Sequence, residues 1–119
     1  MGLDTTHNCW HGAYSFFNRF RLSLGFQIGI DLEKDYQGYG DGQKNLEDIE
    51  HDLMPLFNHS DCDGELSVEE SKRIACGLQH VLDNFIYNEK YDFDFKERII
   101  QFRDGLYNAI DKNEVVEFR

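Results

Sequence analysis

Apolar positions along the chain fall into stripes of helical period separated by glycine-rich or polar stretches. Ala13, Phe16, Phe17, Phe20, Leu24 and Ile28 recur every three or four residues, which places them on one face of an α-helix over 13–28. Arg19 and Arg21 lie on its flanks, and Gly25 and Gly29 loosen its end. Leu46, Ile49, Leu53 and Leu56 or Phe57 predict a second helix over 44–57, with Asn45 and Asp48 suited to its first turn. Pro55 has no N–H and crowds the preceding turn, so this helix is expected to end or tighten near Met54. Ile74, Ala75, Leu78, Val81, Leu82, Phe85 and Ile86 predict a long helix over 68–87, opened by a Ser67-x-x-Glu70 capping box. Asp94 and Glu97 repeat the capping signal, and Phe95, Ile99, Phe102, Leu106 and Ile110 mark a last helix that ends near Asp111.

The intervening stretches read differently. Residues 1–12 show no helical period. Residues 30–43 carry Tyr36, Gly38, Tyr39, Gly40, Asp41 and Gly42, a density of glycine that reads as loop. No Gly-Lys-Ser/Thr follows it, so it is not a phosphate loop. Residues 88–94 read as a polar and aromatic connection. The tail Glu114-Val115-Val116-Glu117-Phe118 alternates weakly and is β-branched, which predicts a short terminal strand, paired with an extended N-terminal segment or with the chain around Leu66.

Composition narrows the function classes. Twelve basic against twenty-three acidic residues give a formal charge of −11, which argues against nucleic-acid binding and against anionic membrane surfaces. Cys9, Cys62 and Cys76 are odd in number and scattered, so a reducing, cytoplasmic compartment is expected rather than a disulfide framework. No apolar run approaches the roughly 18 residues a transmembrane helix needs, and no secretory leader is visible. Met1–Thr6 matches the loose myristoylation pattern, but no basic patch follows and an ordinary N-terminus is expected.

The stretch His59-Ser-Asp-Cys-Asp-Gly-Glu-Leu-Ser-Val-Glu-Glu70 concentrates the candidate chemistry. It resembles the calcium loop of an EF-hand: Asp61 and Asp63 fall on the third and fifth positions, Gly64 on the sixth, and Glu70 on the twelfth. The resemblance implies a metal site of His59, Asp61, Asp63, the Glu65 carbonyl, Ser67 and Glu70, with Leu66 anchoring the loop. His59 stands where the family has Asp. An imidazole lowers charge and hardness, so a softer ion such as Mn or Zn competes with Ca as the divalent cation. Alternatively, Ser67 and Glu70 only cap the following helix while the Asp residues make turn hydrogen bonds. No second loop of this kind appears in the sequence. The expected fold is mainly α: one domain over 1–119, a compact bundle of about four helices with one EF-hand-like helix–loop–helix and a short terminal strand pair.

A second candidate site, for a metal or an anionic ligand, combines His7, Cys9, His11, Arg19, Tyr36 and Tyr39. On an extended segment His7, Cys9 and His11 share one face. Cys76 and His80, four apart on a helix, offer two further donors without a third. His11-Gly-Ala-Tyr-Ser-Phe-Phe-Asn-Arg-Phe-Arg21 and Asn58-His-Ser-Asp-Cys-Asp-Gly-Glu65 together resemble a group of small bacterial and phage proteins, a resemblance that brings no activity with it. Three functions follow as expectations. The first is a non-enzymatic metal-binding module that steadies a binding surface. The second is a small-ligand binder that sequesters a phosphate-bearing metabolite or nucleotide. The third and least favoured is a metal-dependent hydrolase, for which no general base or oxyanion donor is identifiable.

Overall fold

The phenylalanine stripe near the N-terminus forms the first long helix, α1, Tyr14–Gln27, in the computed structural model, which describes residues 2–88 and 94–119. Two further long helices follow the other strong stripes: α4, Val68–Asp83, and α5, Phe95–Asp111. Two one-turn helices, α2 (Leu32–Asp35) and α3 (Met54–Phe57), and two small antiparallel strand pairs complete the regular structure. The fold is mainly α. None of the described helices is long and apolar enough to cross a membrane.

The second stripe departs from its expected helix. Residues 44–57 make a 3-10 turn at Leu46–Asp48 and then α3, rather than a continuous helix. Pro55 sits in the first turn of α3 instead of ending a helix before it. A missing N–H costs nothing at a helix start, where those donors have no intrahelical partner anyway. Ile49, Leu53, Leu56 and Phe57 still reach the core, because irregular backbone delivers apolar side chains as well as a helix can.

The glycine-rich stretch is not a slack connection. Asp31 caps α2 by accepting from Lys34 N–H at 3.0 Å, and the chain then folds back so that Tyr36 bridges to Lys44. Gly40 and Gly42 press on the backbone at Glu33 and at Asp35–Tyr36, leaving no room for a Cβ. The glycines there serve close backbone approach.

Aromatic rings hold the centre. Trp10 lies 5.2 Å from Phe17 and 5.0 Å from Phe20 between ring centroids, and Phe20 stacks on Phe102 of α5 at 5.9 Å. Such pairs add about 0.5–1.5 kcal/mol beyond the area they bury. β1 (Gly2–Asp4) pairs with β2 (His11–Ala13), and β3 (Glu65–Leu66) pairs with β4 (Val116–Glu117). The terminal strand meets both of its expected partners: beyond β4, Phe118 bridges to Thr5, and Arg119 exchanges backbone hydrogen bonds with Asp4. Asn113, at φ 57°, turns the chain out of α5 toward β4, with Glu114 N–H returning to the Ala109 carbonyl at 2.9 Å. Asp94 makes no side-chain cap and pairs with Arg98 at 3.6 Å instead. Most of the expected 88–94 connection lies outside the described residues.

Candidate binding loop at residues 59 to 70

α3 and α4 present the loop between them. Past α3 the chain turns through Ser60–Asp63, with Cys62 N–H donating to the Ser60 hydroxyl at 3.2 Å. Gly64 takes φ +87°, a conformation L side chains rarely adopt, and its carbonyl accepts from Phe118 N–H at 2.9 Å. Leu66, fully buried in β3, pins the loop to the core. Ser67 and Glu70 then form the full capping box: Glu70 N–H donates to the Ser67 hydroxyl at 3.1 Å, and Ser67 N–H donates to Glu70 Oε1 at 2.9 Å.

His59 lies inside the loop. Its Nε2 is 3.1 Å from the Glu65 carbonyl and its Nδ1 2.7 Å from the Ser60 carbonyl. The ring packs on Phe118, 4.1 Å between centroids, and lies over Gly64, where a Cβ would come within 3.4 Å of Cε1 and Nε2. The demand that Gly64 answers is the sharp turn, since a Cβ there would only touch the imidazole.

Arg21 of α1 grips the same loop from behind. Its Nη1 donates to the His59 carbonyl at 2.7 Å and, more weakly, to the Leu56 carbonyl at 3.4 Å. The guanidinium sits 4.7 Å from the Phe17 ring centroid and 5.1 Å from that of Tyr39, and its buried Nε has no hydrogen-bond partner among the described residues. Burial lowers the Arg21 pKa, opposed by Tyr39 and Asp61. Tyr39 donates its hydroxyl to the Phe57 carbonyl at 2.8 Å; burial pushes its pKa up to about 12, against the pull of Arg21. Asn18, Arg21, Tyr39, Asn58 and Asp61 share a cleft of about 310 Å³.

Of the residues assigned to the loop, Asp61 turns toward the Arg21 cleft, Asp63 and Glu65 are exposed, and Glu70 caps α4. Among the described residues no three His, Cys, Asp or Glu side chains stand gathered around an ion position. The N-terminal set is not extended as expected. The chain makes a 3-10 turn at Thr6–Asn8 with His7 at φ 62° and Asn8 at φ 58°, which removes the alternation that put His7, Cys9 and His11 on one face. Cys9 is sealed in the core, where burial pushes its thiol up to about 12. His7 bonds Glu114 and Thr6, each at 3.0 Å, and His11 bonds Asp4 and Asn8, each at 2.8 Å. Tyr36 is buried in the core, and Arg19 lies over the Phe16 ring at 5.9 Å. Tyr39 joins Arg21 rather than Arg19.

A second polar cleft, of about 450 Å³, is lined by Glu50, His51, Asp52, Arg73, Cys76 and His80. The neighbouring Asp52 carboxylate raises the Cys76 pKa. Arg21 and Asp52 were not singled out from the sequence. Arg21 is buried rather than on the flank expected of it, and it carried a usable signal, since it stands four residues after Phe17 and three before Leu24. Asp52 carried none. Comparison with family models, curated proteins and solved structures returned no match.

Proposed function

We propose that this protein is a non-enzymatic binding module whose EF-hand-like corner, residues 59–70, takes up a divalent cation and so fixes the approach of α3 to α4. The supporting observation is a convergence: the side chain at the loop's first position and the backbone carbonyl at its seventh, His59 Nε2 and Glu65 O, meet at 3.1 Å. These are two groups that an ion in such a loop joins. Gly64 at φ +87° and the pairing of Glu65–Leu66 with β4 support this reading of the loop backbone. Uptake requires His59 Nε2 to present its lone pair and Glu70 to swing a carboxylate oxygen inward from its cap. An imidazole in the first position favours Mn or Zn over Ca.

Metal content after purification without chelator, followed by calorimetry with calcium, manganese and zinc, tests this reading. Native protein is expected to bind one ion with a rise in melting temperature, and Glu70→Gln to lose both. Equal, negligible uptake by the two proteins overturns it.

A second reading, a binder of a small phosphate-bearing metabolite or nucleotide, rests on the buried Arg21 guanidinium and Tyr39 beside one cleft. A buried cation to which no carboxylate among the described residues is bridged favours an incoming anion, while Asp61 in the same lining opposes one. Stabilisation by a nucleotide in a thermal-shift screen supports this reading, and a screen without a hit removes it. The hydrolase reading gains no support, with Cys9 sealed and both N-terminal imidazoles engaged elsewhere.

A further inference from the structure

Two opposite charges line the cleft between α1 and the turn after α3 without meeting. Arg21, buried on α1, and Asp61, half-buried in the loop, share it with Asn18 and Tyr39. Among the described residues no ion pair joins the two, and the Asp61 carboxylate has no hydrogen-bond partner of its own.

The guanidinium is held at one end and open along one edge. Its Nη1 donates to the His59 and Leu56 carbonyls at 2.7 and 3.4 Å, which fixes the direction of the fork. Nε and Nη2 form the remaining edge, and neither has a hydrogen-bond partner among the described residues. Their N–H groups run parallel, at the spacing of the two oxygens of a carboxylate. A buried donor without a partner is costly, and a ligand that supplies the acceptor removes the cost. Tyr39 walls this edge, its ring 5.1 Å from the guanidinium and its hydroxyl tied to the Phe57 carbonyl at 2.8 Å. Asn18, one turn before Arg21 on α1, adds an amide that both donates and accepts.

We infer that this cleft takes a small zwitterion of amino-acid type, with its carboxylate on the Nε–Nη2 edge of Arg21 and its ammonium group on Asp61. The inference rests on the second reading above for the place of the ligand and differs from it in the ligand's chemistry. Phosphate would bring net negative charge to Asp61 and to a chain of formal charge −11, whereas a zwitterion brings none and satisfies both side chains. Size points the same way. About 310 Å³ is at the floor of small-molecule sites, roughly 300–1,000 Å³, which suits a ligand of a few heavy atoms better than a nucleotide. Nη2 meets the carboxylate first; pairing with Nε as well requires its edge to be uncovered, since Nε is buried.

Amide NMR of the full chain tests this. Glycine, β-alanine and 4-aminobutyrate serve as zwitterions of increasing charge separation, and acetate, methylammonium and inorganic phosphate as single charges. At least one zwitterion is expected to shift the Gly38, Tyr39 and Asp61 amides saturably and to bind about tenfold more tightly than acetate or methylammonium. Asp61→Asn, at a half-buried side chain without a partner, is expected to weaken that binding about tenfold and to leave the melting temperature near native. Arg21→Lys keeps the charge and loses the fork, and the same weakening is expected, with folding checked by melting temperature. The inference is overturned if no zwitterion binds, if acetate or methylammonium binds as tightly, or if Asp61→Asn binds the zwitterion unchanged. Saturable shifts with phosphate alone, stronger in Asp61→Asn, overturn it and leave the second reading standing. No shift with any probe overturns it too, and the nucleotide screen then decides the second reading by itself.

Discussion

Burial separates three cysteines of identical intrinsic chemistry. Cys9 is fully buried, while Cys62 and Cys76 are exposed. With its pKa near 12, Cys9 is about 10⁻⁵ thiolate at neutral pH, too little for attack on a disulfide reagent. Native protein is expected to show two accessible thiols, Cys76 reacting more slowly than its exposure suggests, with the third released only on unfolding. The same burial makes stability fall in alkali. In the unfolded chain Cys9 ionises near 9.0 and Tyr39 near 10.0, whereas both stay protonated to about 12 in the folded one. Between those limits the folded state holds more protons, so rising pH favours unfolding, by up to about 1.4 kcal/mol per pH unit for each group. A melting curve taken from pH 9 to 12 is expected to fall, and Cys9→Ala to flatten its lower part.

Single backbone demands set how the elements lie against each other. Gly105 of α5 faces the N-terminal turn: a Cβ there would meet Cys9 Sγ at 2.6 Å and the His7 carbonyl at 2.7 Å. One of those atoms is backbone and the other belongs to a sealed side chain, so neither yields easily. Gly105→Ala is expected to cost about 1–3 kcal/mol, read from denaturant midpoints. The helix stripes of α1, α4 and α5 were plain in the sequence because amphipathic period needs no knowledge of the partner. The stretch 44–57 misled because its apolar spacing suits a helix while Pro55 and the turn at His51 break the ladder. The α4 start was legible as well, since a capping box is local in sequence. Ser67→Ala is expected to remove about 0.5–2 kcal/mol of stability.

Across the whole molecule the C-terminal strand ties parts that are far apart in sequence. β4 pairs with β3 in the loop, Glu117 N–H reaches the Thr6 hydroxyl at 2.9 Å, and Phe118 packs between His59 and the Phe17 ring. Phe118 is thus a wall of the loop as well as part of the core. Phe118→Ala is expected to cost about 3–5 kcal/mol and to free the His59 ring, visible as a lowered melting temperature and a shifted His59 NMR signal.

The sequence by itself determined the mainly-α fold, the three long helices, the turn at Gly64 and the capping box, because each rests on interactions within a few residues. It also placed the tail strand, with both candidate partners named. Tertiary structure decided what lies inside the loop: His59 turned inward to the Glu65 carbonyl, Arg21 gripping the His59 backbone, and Phe118 closing the side. It parted His7, Cys9 and His11 by a left-handed turn that no spacing announces. It also brought Asp52 into one cleft with Cys76, a placement made across two elements by packing alone. Period and capping are written in neighbouring residues, whereas convergence of donors depends on how distant elements settle against one core.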